Sequence, residues 1–111
     1  NEALASVKTG QVTYAVRDSS YNGVSIEKED IIGIVDGEIL TAGKEIDQVT
    51  KELISNMVDE DSEIITLLYG ADISEDEARA MEEFLEEAYP DLDIEVHSGG
   101  QPLYYYIISV E

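Results

Sequence analysis

The sequence predicts an α/β domain, a mixed β-sheet of about five or six strands with two main amphipathic helices. Three observations carry this. Period-two or short apolar runs recur at strand length, among them Val12, Tyr14 and Val16 against small or polar neighbours, and Ile64 to Tyr69. Two stretches, from Glu45 and from Ser74, change to helical spacing. Turn signals at Asn22-Gly23, Asp36-Gly37 and Gly99-Gly100-Gln101-Pro102 separate the runs.

In chain order, residues 1–6 read as the tail of an upstream linker or helix, and residues 7–111 as one domain. Gln11 to Arg17 is expected as the first strand. A polar connection around Asn22-Gly23 follows. Ile31–Val35 and Glu38–Leu40 flank Asp36-Gly37, the signature of a two-residue hairpin of the primed-turn kind. From Glu45, the residues Ile46, Val49, Leu53 and Met57 fall on one helical face, with Ile54 beside them. Asp59-Glu60-Asp61 closes that helix, where the dipole disfavours acids. Ile64–Tyr69 is too short for a helix and is expected in the middle of the sheet. Ser74 and Glu77 form a capping box. The helix after it carries an inner stripe of Ala78, Met81, Leu85 and Ala88, with Phe84 adjacent, and Pro90 ends it. Short strands are expected at Ile94–His97 and Leu103–Val110.

The last segment runs from a Gly-Gly-Gln-Pro turn straight into Tyr104, Tyr105 and Tyr106. Glycine supplies unusual φ angles and proline freezes one, so the loop is sharp. On a pleated strand Tyr104 and Tyr106 share one face and Tyr105 takes the other. At least one phenol therefore leaves the core, or needs a polar partner inside it. This pattern points to a binding surface more than to an active site.

Composition narrows the function classes. The chain has 111 residues, 26 acidic and 6 basic, for a net charge of −20. Counterion-release binding to nucleic acid needs clustered Lys and Arg, and so does attraction to anionic membranes. Both partners are excluded, whereas a basic protein is allowed and would be steered. Most of the acids read as solvated helix faces. With no cysteine, disulfides, thiolate catalysis and cysteine metal sites are impossible. No apolar run approaches membrane-spanning length. No secretion signal is in view, and the chain is expected to be a piece of a longer cytoplasmic protein.

Chemical motifs fail in turn. Gly37 to Gly43-Lys44 has five residues between the glycines and Glu45 where a phosphate loop needs Ser or Thr. A calcium loop opening at Asp59 would have Ile64 where Gly is needed and Gly70 where a bidentate Glu is needed. His97 is the only histidine; its neighbour Ser98 points to the opposite strand face, so the two form no nucleophile–base pair. A structural or interface role is its default reading. Arg17 could clamp an anion or a partner carboxylate, or hold Asp18 in a local ion pair.

Three segments together resemble one family. Val7-Lys8-Thr9-Gly10-Gln11-Val12-Thr13-Tyr14-Ala15-Val16-Arg17-Asp18 is similar to the opening of the C-terminal domain of the A component of bacterial fatty acid kinase, the YloV-like, dihydroxyacetone-kinase-like family. Asp59–Gly70 is similar to a second segment of that domain, and Gly99–Glu111 to its end. The resemblance covers almost the whole chain. It implies a parent phosphotransferase whose separate DhaL-type domain holds ATP and magnesium, with a middle domain between. It implies as partner a DegV-family protein that presents a bound fatty acid for phosphorylation to an acyl phosphate. No ATP-binding residue of the family falls on this chain, so no catalytic residue, cofactor or metal ligand carries over.

A weaker likeness is to the smaller domain of DegV-like lipid carriers, through Asp36-Gly37-Glu38-Ile39 and the Gly-Gln-Pro turn. Those carriers follow their Gly-Pro turn with a Gly- and His-containing segment that helps hold the fatty-acid carboxylate. Here the equivalent stretch is Tyr104-Tyr105-Tyr106-Ile107, with neither. The departure implies a related scaffold whose ligand site is filled by tyrosines.

The expectation is a non-catalytic partner-binding domain that recruits the fatty-acid carrier to the kinase. Its interface residues would be Arg17, Gln101, Tyr104, Tyr105 and Tyr106, since aromatics and Arg dominate binding hot spots. Core packing is the alternative for Tyr104 and Tyr106. Rival readings are a small-molecule or lipid-binding module, an enzyme using His97 and carboxylates, and a dimerisation or regulatory unit that makes the parent a homodimer.

Overall fold

Local rules place the elements, and a computed structural model describes residues 7–21 and 23–111. The tail expected at residues 1–6, and Asn22 of the Asn22-Gly23 turn, lie outside these. The elements are β1 (Lys8–Tyr14), β2 (Ser19–Tyr21), β3 (Val24–Ile26), β4 (Ile31–Val35), β5 (Glu38–Gly43), α1 (Ile46–Met57), β6 (Ile64–Tyr69), α2 (Glu75–Ala88), β7 (Asp93–Ser98) and β8 (Tyr106–Val110). The main sheet has six strands in the order β5-β4-β1-β8-β6-β7, and β2-β3 form a separate two-stranded ribbon. Only β6 and β7 are parallel; the other neighbours in the main sheet are antiparallel. The parallel pair needs a crossover, and α2 supplies it. The mixed six-stranded sheet with two helices is the predicted α/β fold.

Asp36 and Gly37 join β4 to β5 with φ of +53° and +81°. Both central residues are left-handed, as the primed hairpin turn requires. One irregularity interrupts the pairing: Gly33 faces Thr41 but Ile34 faces Ile39, so Leu40 is an extra residue on the edge strand. Such a bulge twists an exposed edge away from further pairing.

Both helices lie on one face of the sheet. From α1, Val49, Leu53, Ile54 and Met57 enter the main core, and from α2 so do Ala78, Met81 and Leu85. They meet Val12, Ile65, Leu67, Tyr106, Ile108 and Val110 from the central strands. Each fully buried side chain of this size contributes roughly 1.5–3 kcal/mol. On the opposite face, Ile26 of the β2-β3 ribbon covers Ile32, together with Ala15, Ile34, Ile39 and Ala42. The ribbon covers the β4–β5 end only. The strand residues beyond it, Thr9, Gln11, Thr13, Thr66, Leu68, Ile107 and Ser109, are exposed or half-buried.

The helix ends differ. Ser74 Oγ accepts the Glu77 N–H at 3.1 Å while Glu77 Oε1 accepts the Ser74 N–H at 2.9 Å, the predicted capping box. Glu45 makes no side-chain cap on α1. At the other end of α1, Lys8 Nζ donates to the carbonyl of Met57 at 3.0 Å and to Asp59 Oδ2 at 2.8 Å. One ammonium thus satisfies an orphan helix carbonyl and neutralises the acid nearest the helix end.

Four expectations are corrected. The first strand is Lys8–Tyr14, shifted three residues toward the N-terminus, because the Ala15 N–H leaves the strand to bond the Asp30 carbonyl at 2.8 Å. Ala88 is exposed, so the inner stripe of α2 ends at Leu85. The last strand starts at Tyr106 and not at Leu103, since Leu103 has φ +74° and breaks the pleat. The alternation expected of the tyrosines therefore fails: Tyr105 packs against the helix-side core beside Tyr14, and Tyr106 is inside it.

Candidate functional site

Residues 99–105 cross the C-terminal end of β6 as a tightly built loop. Gly99 and Gly100 both donate to the Tyr69 carbonyl, at 2.9 and 3.2 Å, and the Ala71 N–H donates to the Gln101 carbonyl at 3.0 Å. Gln101 Nε2 donates to the Leu68 carbonyl at 3.2 Å, and its amide also reaches the Tyr104 carbonyl at 3.4 Å. The Gly70 N–H donates to the Tyr105 carbonyl at 2.9 Å, and the Tyr105 N–H to the Val12 carbonyl at 2.7 Å. The loop is therefore stitched to both β6 and β1. Gly70 must be glycine for lack of room: a Cβ there would collide with the Tyr104 carbonyl oxygen and lie 2.7 Å from that of Gln101.

The loop tip is held in a backbone state that bulky residues avoid. The Tyr104 N–H bonds the Pro102 carbonyl at 2.8 Å, closing a three-residue turn about Leu103. Thr13 Oγ1 donates to the Leu103 carbonyl at 2.6 Å. Leu103 is 59% exposed and Tyr104 40% exposed. At the same end of β1, Val16 is 72% exposed. A rigid loop thus presents apolar side chains to water, the kind of local strain that clusters at sites of function.

The five sequence-predicted residues are placed differently from one another. Gln101 is the brace of the loop, Tyr104 stands at its exposed tip, and Tyr105 is half-buried at its base. Tyr106 is fully buried, which is its core-packing alternative. Its hydroxyl has no hydrogen-bond partner. Arg17 is exposed after β1. The Arg17–Asp18 ion pair is absent; Asp18 Oδ1 instead accepts the Lys28 N–H at 2.7 Å. His97 lies on the edge strand β7, exposed, 3.3 Å from Glu95 Oε1. Sequence reasoning missed Leu103, assigning it to a strand. An apolar residue directly after the Pro of a turn signal was the clue.

Electrostatics distinguish the tyrosines. Burial raises the phenol of Tyr105, with Asp72, Tyr14 and Glu29 adding to the effect. Burial raises Tyr106 further. Both stay protonated at neutral pH. Behind the β1 end, Asp30 is held below the usual carboxylate range by Lys44 Nζ at 2.6 Å and by the Glu27 N–H at 2.9 Å. That pair anchors the turn carrying Glu29. Among the described residues no group of three or more His, Asp or Glu is placed to hold a metal ion. None of the helices is long and apolar enough to cross a membrane.

Over residues 1–111 the chain matches the family described as FakA-like, C-terminal, the end domain of the fatty acid kinase A component and its relatives. It is 46% identical over 109 residues to Protein YloV of Bacillus subtilis, covering 98% of this chain and 20% of that protein. It is 42% identical over 109 residues to an uncharacterized protein of Staphylococcus haemolyticus and 41% over 110 residues to one of Staphylococcus saprophyticus. These cover 98% and 99% of this chain and 20% of each relative. The chain thus spans about a fifth of the length of the curated relatives it matches. It belongs to the FakA-like C-terminal family of fatty acid kinases, as its three motifs implied.

Proposed function

We propose that this member of the FakA-like C-terminal family is a non-catalytic docking domain that recruits a DegV-type fatty-acid carrier. The kinase chemistry, with ATP and magnesium, then belongs to a separate DhaL-type domain of a cytoplasmic parent chain. The observation that carries the reading is the loop tip: Leu103 and Tyr104 stand in solvent on a backbone fixed from both sides by β6 and β1. A pre-organised loop binds without first being ordered, and exposed apolar and aromatic anchors are what hot spots are made of. Arg17 adds an exposed cation after β1. The net charge of −20 selects a partner with a basic contact surface and speeds the encounter at low salt.

The test is calorimetric titration of the 111-residue chain into a lipid-loaded carrier at two salt concentrations. The expected result is binding that weakens with salt, and that Leu103→Ser and Tyr104→Ala each weaken by about tenfold or more. Absence of binding at either salt would move the carrier contact to the rest of the parent and leave this domain a dimerisation or regulatory unit.

A further inference from the structure

Tyr14, Tyr105 and Glu29 line a surface cleft of about 310 Å³ beside the loop. The two rings have centroids 6.2 Å apart and are tilted by 51°. They are half-buried, so their orientation is fixed by packing against the main core. Glu29 is exposed and has no ion-pair partner among the described residues. Its backbone is left-handed, with φ +75°. A non-glycine residue keeps such a conformation only where its surroundings impose it. Here they do. The Glu29 N–H donates to the Ala15 carbonyl at 2.8 Å, the Ala15 N–H to the Asp30 carbonyl at 2.8 Å, and the Asp30 N–H to the Glu27 carbonyl at 2.9 Å. Lys44, which could have neutralised Glu29, is already engaged by Glu27 and Asp30.

We propose that this cleft is a subsite for an arginine side chain of the docked partner protein, its guanidinium lying on the tyrosine rings and bonded to the Glu29 carboxylate. Two aromatic faces and an unpaired carboxylate attract a cation, and the surrounding acidic field adds to the attraction. Arginine fits better than lysine because its planar head stacks on an aromatic ring and still presents N–H donors at its edge. The source of the arginine rests on the docking reading. The chemistry of the subsite does not.

The test separates the two. The 111-residue chain is titrated with arginine amide and, separately, with the neutral isostere citrulline amide, while the ring resonances of Tyr14 and Tyr105 are followed by NMR. The expected result is a saturable shift at both rings with arginine amide, and affinity lower by about fivefold for citrulline amide and for arginine amide with Glu29→Gln. Tyr105→Leu should abolish the shift at Tyr14. If that variant does not fold, Glu29→Gln decides, because its side chain lies in solvent. No saturable shift, an equal response to citrulline amide, or an unchanged Glu29→Gln would overturn the subsite. An intact arginine response with no carrier binding would overturn the docking reading alone.

Discussion

Replacing Tyr106 with Phe should make this protein more stable. Tyr106 is completely buried in the main core, and its hydroxyl touches no donor or acceptor. A buried polar group without a partner has lost its water and gained nothing, at about 1–3 kcal/mol. Removing the oxygen alone keeps the ring and its packing. It leaves a void smaller than a methyl group, which offsets only a few tenths of a kcal/mol at about 24 cal/mol per Å³. The expected net gain is about 1 kcal/mol, or a rise in Tm of roughly 5 °C for a domain of this size. Alkaline pH gives an independent readout. Burial holds the folded-state phenol of Tyr106 above its ordinary value of 10.0, so the native chain keeps a proton that the unfolded chain releases. That contribution is complete below about pH 10 and is lost as pH rises further. The variant lacks it, so its advantage in thermal melts should widen above pH 10. Tyr89 and Tyr105, whose phenols are also raised, keep a smaller alkaline loss in both proteins. A fall in Tm of several degrees on Tyr106→Phe would refute the argument, because it would require a hydrogen bond to the hydroxyl.

Three other perturbations follow from the same packing. Gly70→Ala forces a Cβ against the Gln101 and Tyr104 carbonyls and should cost about 1–3 kcal/mol in urea unfolding, with weaker carrier binding as the loop shifts. Ser74→Ala removes one arm of the capping box and should cost about 1 kcal/mol, lowering Tm by roughly 5 °C. Asp30→Asn should lower Tm at neutral pH. Because the folded carboxyl lies below its ordinary 3.8, the stability it lends is present above that value and disappears as pH falls through the folded pKa. The difference between variant and parent should therefore vanish in strong acid.

What the sequence revealed was whatever local chemistry decides. Asp36-Gly37 announced its hairpin because few residues accept two consecutive positive φ angles, and the Ser74–Glu77 box marked a helix start to the residue. Elements set by long-range contact stayed hidden. The β2-β3 ribbon consists of three-residue strands with no period to read, and it exists because Ile26 covers Ile32 across the sheet. Tyr104, Tyr105 and Tyr106 were legible as a binding feature but not as a sequence of one exposed, one half-buried and one interior ring. That division depends on the left-handed Leu103, which Thr13, 90 positions away, helps to fix. The Tyr14–Tyr105–Glu29 cleft was likewise unreadable, since its three residues come from three separate segments.

The position of β8 has a consequence for how the domain is made. It is last in chain order among the elements, yet it lies between β1 and β6, with Ile108 facing Gly10 on one side and Leu67 on the other. While a ribosome has released only the residues before it, the domain can hold no continuous sheet. It holds a β5-β4-β1 piece and a β6-β7 piece, each with a bare edge turned toward the gap. Arrival of Tyr106–Val110 joins the pieces and also sets the loop that precedes the strand. Folding is therefore completed late in synthesis. Until then the two open edges are available to a chaperone, or to the same edges of a neighbouring nascent chain.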